Sequence, residues 1–292
     1  MHATTGARCA SLVFDLPFSA TRMKPQNEGM NAADRCIRPK ACKKRRFAVS
    51  SRETATTLDS LLLKDLPLSL PMPRGFEKPY AAFLFDMDGT ILNSIRSAER
   101  VWSDWARRHG LDVDAFLPTM HGSRGIDTIA RLNLPGVDPE HESKLVTEAE
   151  IADVSDVVPI PGAATFLSSL PPDRWAIVTS SPLRLAHRRL EAAGLPLPKF
   201  MVTAEDVKVG KPDPQCYILG AERLGVSTRD CLVFEDVAAG IVAGEAAGAD
   251  VMVITAAHHQ KMETPHPTLS SYDEVSVRIA ADRGMVLVPT AA

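Results

Sequence analysis

Cysteine is scarce in this 292-residue sequence: five residues, an odd number, with three of them (Cys9, Cys36, Cys42) in the leading stretch and no CxxC pair. Such a set supports neither a disulfide framework nor a structural zinc site, and it suits a reducing cytoplasm. Long apolar runs are also missing. None approaches the ~20 residues a membrane helix needs, so no membrane partner is expected. Nor does either sign of charge dominate. Thirty-three Lys+Arg against 36 Asp+Glu leave a formal net charge of -3, which gives no reason to expect nucleic acid as a partner. What is present is ordinary globular composition, 24% charged and 45% hydrophobic, long enough for one large domain or two modest ones.

The first 75 or so residues lack sustained periodicity and carry a basic block, RPKACKKRRF at 38–47, before the proline-rich LPLSLPMPRG. Residues 1–77 read first as a disordered tail, or as sequence added by a start codon placed too far upstream. A transit peptide comes next, and a nucleic-acid-binding tail last. A secretory signal does not fit, because no clean apolar core and small-residue cleavage site follow a charged start.

Pattern begins near residue 80. AAFLF (81–85) reads as a buried strand and runs straight into Asp86, Met87, Asp88, Gly89 and Thr90. Two carboxylates one residue apart at a strand end repel each other unless something positive compensates them. A helix follows over about 94–109, with Asn93 or Ser94 as cap and Ile95, Ala98, Val101, Trp102 and Trp105 on its apolar side. Trp102 and Trp105 read as packing residues rather than a sugar platform. Residues 111–158 stay helical and polar, with no strand. Then strands at 175–180, 199–204, 230–236 and 250–255 alternate with helices at 182–195, 215–225 and 238–249. That alternation predicts an α/β fold with a parallel sheet and right-handed crossovers, whose reactive groups collect beyond the carboxyl ends of the strands. The predicted core is 78–93 together with 159–285, and 94–158 is a helical insertion placed to cover the same edge.

Asp86, Asp88 and Asp236 stand at two such strand ends and need a cation. Hard oxygen ligands point to Mg²⁺ with a phosphate oxygen, and Lys211 is a second positive group. This set suits phosphoryl transfer, with one aspartate as nucleophile and another as proton donor.

DMDGT, a strand ending VTSS, GKPDP and VFEDVAAGIVAGEAAGA, in this order over residues 80–257, resemble the haloacid dehalogenase-like hydrolase superfamily. The insertion resembles the helical cap of its β-phosphoglucomutase-like branch. SAERVWSDWARRHGL, MHGSRGIDTI and GKPDPQCYILGAERLG are most similar to its broad-specificity sugar (hexose and hexitol) phosphatases. The resemblance implies a Rossmann-like parallel-sheet core with an inserted α-helical cap. It implies Asp86 as the nucleophile that becomes an aspartyl phosphate, Asp88 as acid/base, Lys211 as charge neutraliser, and Thr179 with Ser180 at the phosphoryl group. Mg²⁺ would be held by Asp86, the Asp88 backbone carbonyl and Asp236, with Glu235 beside the metal rather than on it. His121 and Arg124, in the loop HGSRG, would meet the substrate. Cys216 and Cys231 read as packing residues.

The expected activity is thus a Mg²⁺-dependent phosphatase acting on a small phosphorylated sugar or polyol, in a monomer or small homo-oligomer. Two rivals stand beside it: a phosphosugar mutase on the same scaffold, and a non-catalytic binding or regulatory protein. Intact Asp86, Asp88, Thr179, Lys211 and Asp236 argue against the second, since a binding protein needs no nucleophile paired with its acid.

Overall fold

The computed structural model describes residues 78–258, 262–281 and 284–290; the expectation for residues 1–77 lies outside the described residues. In chain order the elements are β1 (Ala82–Phe85), β2 (Leu92–Asn93), α1 (Ile95–Arg108), α2 (Val113–Phe116), α3 (Gly125–Leu132), α4 (Pro139–Ala152), β3 (Val158–Pro159), α5 (Ala163–Ser169), β4 (Trp175–Val178), α6 (Leu183–Ala192), β5 (Phe200–Val202), α7 (Gln215–Leu224), β6 (Cys231–Glu235), α8 (Ala238–Ala246), β7 (Asp250–Ile254), β8 (Thr268–Leu269), β9 (Val275–Ile279) and β10 (Met285–Pro289).

The two-residue alternation of β1 explains its place. Phe83 and Phe85 enter one hydrophobic cluster, with Phe166, Phe234 and Tyr272, while Ala82 and Leu84 enter the other, with Val178, Tyr217 and Val233. A strand apolar on both faces belongs in the middle of a covered parallel sheet. The sheet order is β5-β4-β1-β6-β7-β8, and all neighbours are parallel. The chain runs outward from β1 through β4 to β5, then crosses back to β6 and continues outward. The carboxyl ends of β1, β4 and β6 therefore meet where the order reverses, the crevice in which such sheets hold ligands. The α/β parallel sheet flanked by helices agrees with the expectation from sequence.

Helices α1 to α4 share a separate cluster of Trp102, Trp105, Phe116, Met120, Ile129 and Val146, in which both tryptophans pack, and Trp102 also lines the cavity beside it. Three features differ from the sequence reading. Residue 158 lies in a strand: Leu92 pairs with Pro159 and Asn93 with Val158, closing the base of the helical block. Two residues ending in proline are too short to show a period. The edge strand β8 and the hairpin β9–β10 were also not anticipated. Ser94 holds the N-cap position of α1, but its hydroxyl goes to Asp88, and Asn93 Oδ1 accepts from Ile95 N instead. Among the described residues, no helix is long and apolar enough to cross a membrane.

Candidate active site

Parallel pairing of Phe85 with Phe234 brings the residues after each together. Asp86, Glu235 and Asp236 are all buried, and each offers an oxygen within 4.8 Å of the others. The turn after β1 is shaped to admit Asp236. Gly89 has φ +89°, and a Cβ there would lie 1.9 Å from Asp236 Oδ2. Thr90 Oγ1 donates to Asp236 Oδ1 at 3.0 Å. Glu235 likewise needs Gly240, where a Cβ would lie 1.5 Å from its Oε1.

Lys211 reaches this cluster from the loop before α7. Its buried Nζ lies 2.5 Å from Asp86 Oδ1, 2.7 Å from Glu235 Oε1 and 3.2 Å from the Val178 carbonyl. Burial opposes the ammonium charge, but Asp86 and Glu235 more than offset it and hold its pKa well above the ordinary lysine range. Burial also pushes Asp86 well above the carboxylate range against the pull of Lys211, with Glu235, Asp236 and Asp88 adding to the rise. Asp236 is pushed up to about 6 by burial, its bond with His258 working the other way.

When fully ionised, the cluster sets three carboxylates against the Lys211 ammonium and the His258 ring that faces Asp236, an excess of negative charge that a divalent cation fits. The oxygens that remain decide where it could bind. Both oxygens of Glu235 are filled: Oε1 accepts from Lys211 and Tyr217, and Oε2 from the backbone N–H groups of Asp236 and Val237. Glu235 therefore anchors Lys211 and the strand end. Asp86 Oδ2 meets no donor among the described residues. Asp86 is thus the side chain with an oxygen to spare for a hard cation, and Asp236, whose oxygens each meet a single donor (Thr90 Oγ1 and His258 Nε2) against two on each oxygen of Glu235, is the next best suited. His258, absent from the sequence reading, sits just beyond β7 with Nε2 2.6 Å from Asp236 Oδ2, and that bond raises its pKa. The rule that found the other residues, polar groups at strand ends, would have found it had it been carried past Ile254.

The Asp88 side chain faces away from this cluster. Oδ1 accepts from Ser94 Oγ at 2.6 Å and Arg189 NH1 at 2.9 Å, and Oδ2 accepts from Ser181 Oγ at 2.9 Å. Thr179, just after β4, accepts from Ser181 N through Oγ1. Ser180 Oγ donates to the Gly122 carbonyl in the HGSRG loop. A cavity of ≈ 470 Å³ lies between this edge and the helical block, and Asp86, Asp88, Thr179, Ser180, His121 and Arg124 are all on its wall. Lys211 lies behind Asp86.

The two loop residues differ in what they have to spare. His121 Nε2 is 3.4 Å from Glu99, and burial lowers its pKa. Arg124 gives Nε and NH2 to Asp127 at 2.6 and 2.8 Å, NH1 to the Val207 and Ala204 carbonyls at 2.7 and 3.5 Å, and NH2 to the Lys208 carbonyl at 2.9 Å. All five of its donors are engaged by protein, which leaves none for a substrate in this arrangement.

The chain belongs to the haloacid dehalogenase-like hydrolase family, whose model matches residues 80–248, in line with the motifs read from sequence. Hexitol phosphatase A of Escherichia coli (strain K12) is 38% identical over 200 residues, covering 67% of this chain and 93% of that protein. Glycerol-1-phosphate phosphohydrolase 2 of Saccharomyces cerevisiae is 35% identical over 184 residues, covering 59% of this chain and 74% of that protein. A hydrolase of known structure from Pseudomonas syringae superposes with a TM-score of 0.55 at 26% identity, covering 61% of this chain and 85% of that one.

Proposed function

We propose that the chain is a Mg²⁺-dependent phosphatase of small sugar or polyol phosphates, working through an aspartyl phosphate in the cytoplasm as a monomer or small homo-oligomer. The observation that carries this reading is the state of Asp86. One oxygen is fixed by buried Lys211 and the other has no donor, at the edge of a cavity that Asp88 also lines. Asp86 Oδ2 bonds to phosphorus as the bond from phosphorus to the sugar oxygen breaks, and Asp88 gives that oxygen a proton. Asp88 then takes a proton from water, whose oxygen bonds to phosphorus and releases Asp86 and inorganic phosphate.

Asp86, Asp236 and the Asp88 carbonyl would hold Mg²⁺, which supplies positive charge to the phosphoryl oxygens. Thr179 and Ser180 serve the phosphoryl group, and His121 the sugar. Residues 94–158 act as a cap that excludes water. The named relatives, which act on hexitol and glycerol phosphates, support the substrate class. The cavity volume falls in the range of small-ligand sites. Arg124, proposed from sequence as a substrate contact, is better assigned to joining the cap to the core.

The test is phosphate release from hexitol, hexose and glycerol phosphates with Mg²⁺, run beside β-glucose 1-phosphate primed with a trace of the 1,6-bisphosphate. Steady release from several polyol phosphates is expected. Glucose 6-phosphate formed faster than free phosphate would make the chain a mutase, and no turnover of any phosphate would make it a binding protein.

A further inference from the structure

Helix α6 turns Leu185, Ala186 and Leu190 inward, and Arg189 falls among them, buried. A guanidinium in that position needs counter-ions. It has two, on different parts of the chain. NH1 donates to Asp88 Oδ1 at 2.9 Å and to Ser181 Oγ at 3.1 Å, while NH2 donates to Glu150 Oε1 at 3.0 Å. Nε is buried with no acceptor. The group is thus held through its two terminal nitrogens, between a carboxylate beside the nucleophile and a carboxylate on α4. Glu150 is itself buried. Glu148 and Arg184 form a second, exposed ion pair between α4 and α6.

An arginine can donate a hydrogen bond but never accept one. With NH1 fixed on Oδ1, a proton carried by Asp88 has its place on Oδ2, where the Ser181 hydroxyl can turn to accept from it. That decides which oxygen of Asp88 serves the leaving group. Glu150 sets the angle of the guanidinium, and its own position is set by how α4 lies on α6.

We propose that Arg189 is a positioning residue for proton transfer by Asp88, and that Glu150 makes this positioning depend on the seating of the helical block. The inference rests on the phosphatase reading. In the first half-reaction, the bond from phosphorus to the alcohol oxygen breaks with its electron pair on oxygen. That oxygen takes the proton from Asp88 Oδ2, and the carboxylate so formed keeps Arg189 on Oδ1.

The test compares phenyl phosphate with p-nitrophenyl phosphate. They have nearly the same shape, but the nitrophenolate leaves without a proton and the phenolate benefits from one. Glu150→Ala and Arg189→Lys should lower kcat/KM for phenyl phosphate by roughly tenfold or more beyond any loss with p-nitrophenyl phosphate. Glu150→Gln, which keeps an oxygen for NH2, should recover most of the difference. A structural defect would lower both substrates alike, and that result, or a Gln variant as selective as the Ala variant, would overturn the proposal. Should Glu150→Ala not fold, the Arg189→Lys comparison decides alone. Failure of the parent protein to release phosphate from aryl and hexitol phosphates alike would instead overturn the phosphatase reading itself.

Discussion

Lys211 Nζ lies 2.5 Å from Asp86 Oδ1, with both side chains buried, and the same ammonium serves Glu235. Removing it leaves two buried carboxylates without their common cation. Breaking a buried pair from one side costs ~3–5 kcal/mol. Lys211→Met should therefore melt well below the parent and show no turnover. An unchanged melting temperature would mean that the lysine does not compensate these charges.

Asp86→Asn should keep the fold, because the amide oxygen can still accept from Lys211, yet it cannot form an acyl phosphate. We expect phosphate release to fall by several orders of magnitude, a barrier increase of ~5 kcal/mol or more. The check is steady-state phosphate release beside circular dichroism of the variant. Activity within about tenfold of the parent would remove Asp86 from the nucleophile role.

Asp86, Asp88, Thr179 and Asp236 could be placed from sequence because each follows a strand with a strong apolar signature, and strand ends in a parallel sheet share one edge; Lys211, further along the loop between β5 and α7, is marked instead by its GKPDP motif. Arg189 and Glu150 escaped for a different reason. Each sits at helical spacing from buried neighbours, Arg189 from Leu185 and Ala186, Glu150 from Val146. The pattern could have shown a charge on a buried face. It could not show that the two faces meet, since residues 150 and 189 lie on helices separated by β3, α5 and β4. Arg124 differs in the opposite sense. Its loop was located, and Asp127 three residues on takes two of its donors, but the other three go to backbone carbonyls of residues 204–208, which no side-chain motif announces.

Acid and metal should act against each other at Asp236. Burial raises its folded-state pKa to about 6, so the folded chain holds a proton that the unfolded chain releases at lower pH. The contribution to stability is therefore lost as pH rises through about 6. Asp86 and His258 are shifted in the same direction. Without divalent cations, the melting temperature should fall as pH rises from about 5 to 7.5. Mg²⁺ relieves the ionised cluster, so the shift it produces should be larger at the upper end of that range. Melting curves with Mg²⁺ or a chelator at both pH values provide the check. A Mg²⁺ shift equal at the two, or larger in acid, would contradict a cation held by Asp86 and Asp236. Activity should stop in excess chelator at either pH.

Arg124 precedes the first residue of α3, while three of its acceptors are carbonyls of the segment leading to Lys211. It therefore ties the helical block to the loop that delivers Lys211. Arg124→Ala removes the donors from the Val207 and Lys208 carbonyls and strands Asp127. Each unmet polar group costs ~1–3 kcal/mol where water cannot replace the lost partner, and less at the more exposed Asp127. A looser tie should slow every substrate, because it acts on Lys211 and cap seating rather than on the sugar. The expected result is a drop in kcat/KM of roughly tenfold, a change of about 1.4 kcal/mol, shared by hexitol and p-nitrophenyl phosphates. Limited proteolysis should become faster in the 204–210 segment. A loss confined to KM for the hexitol phosphate, with the aryl substrate and the proteolysis rate unchanged, would return Arg124 to the substrate-binding role that its loop suggests in the sequence.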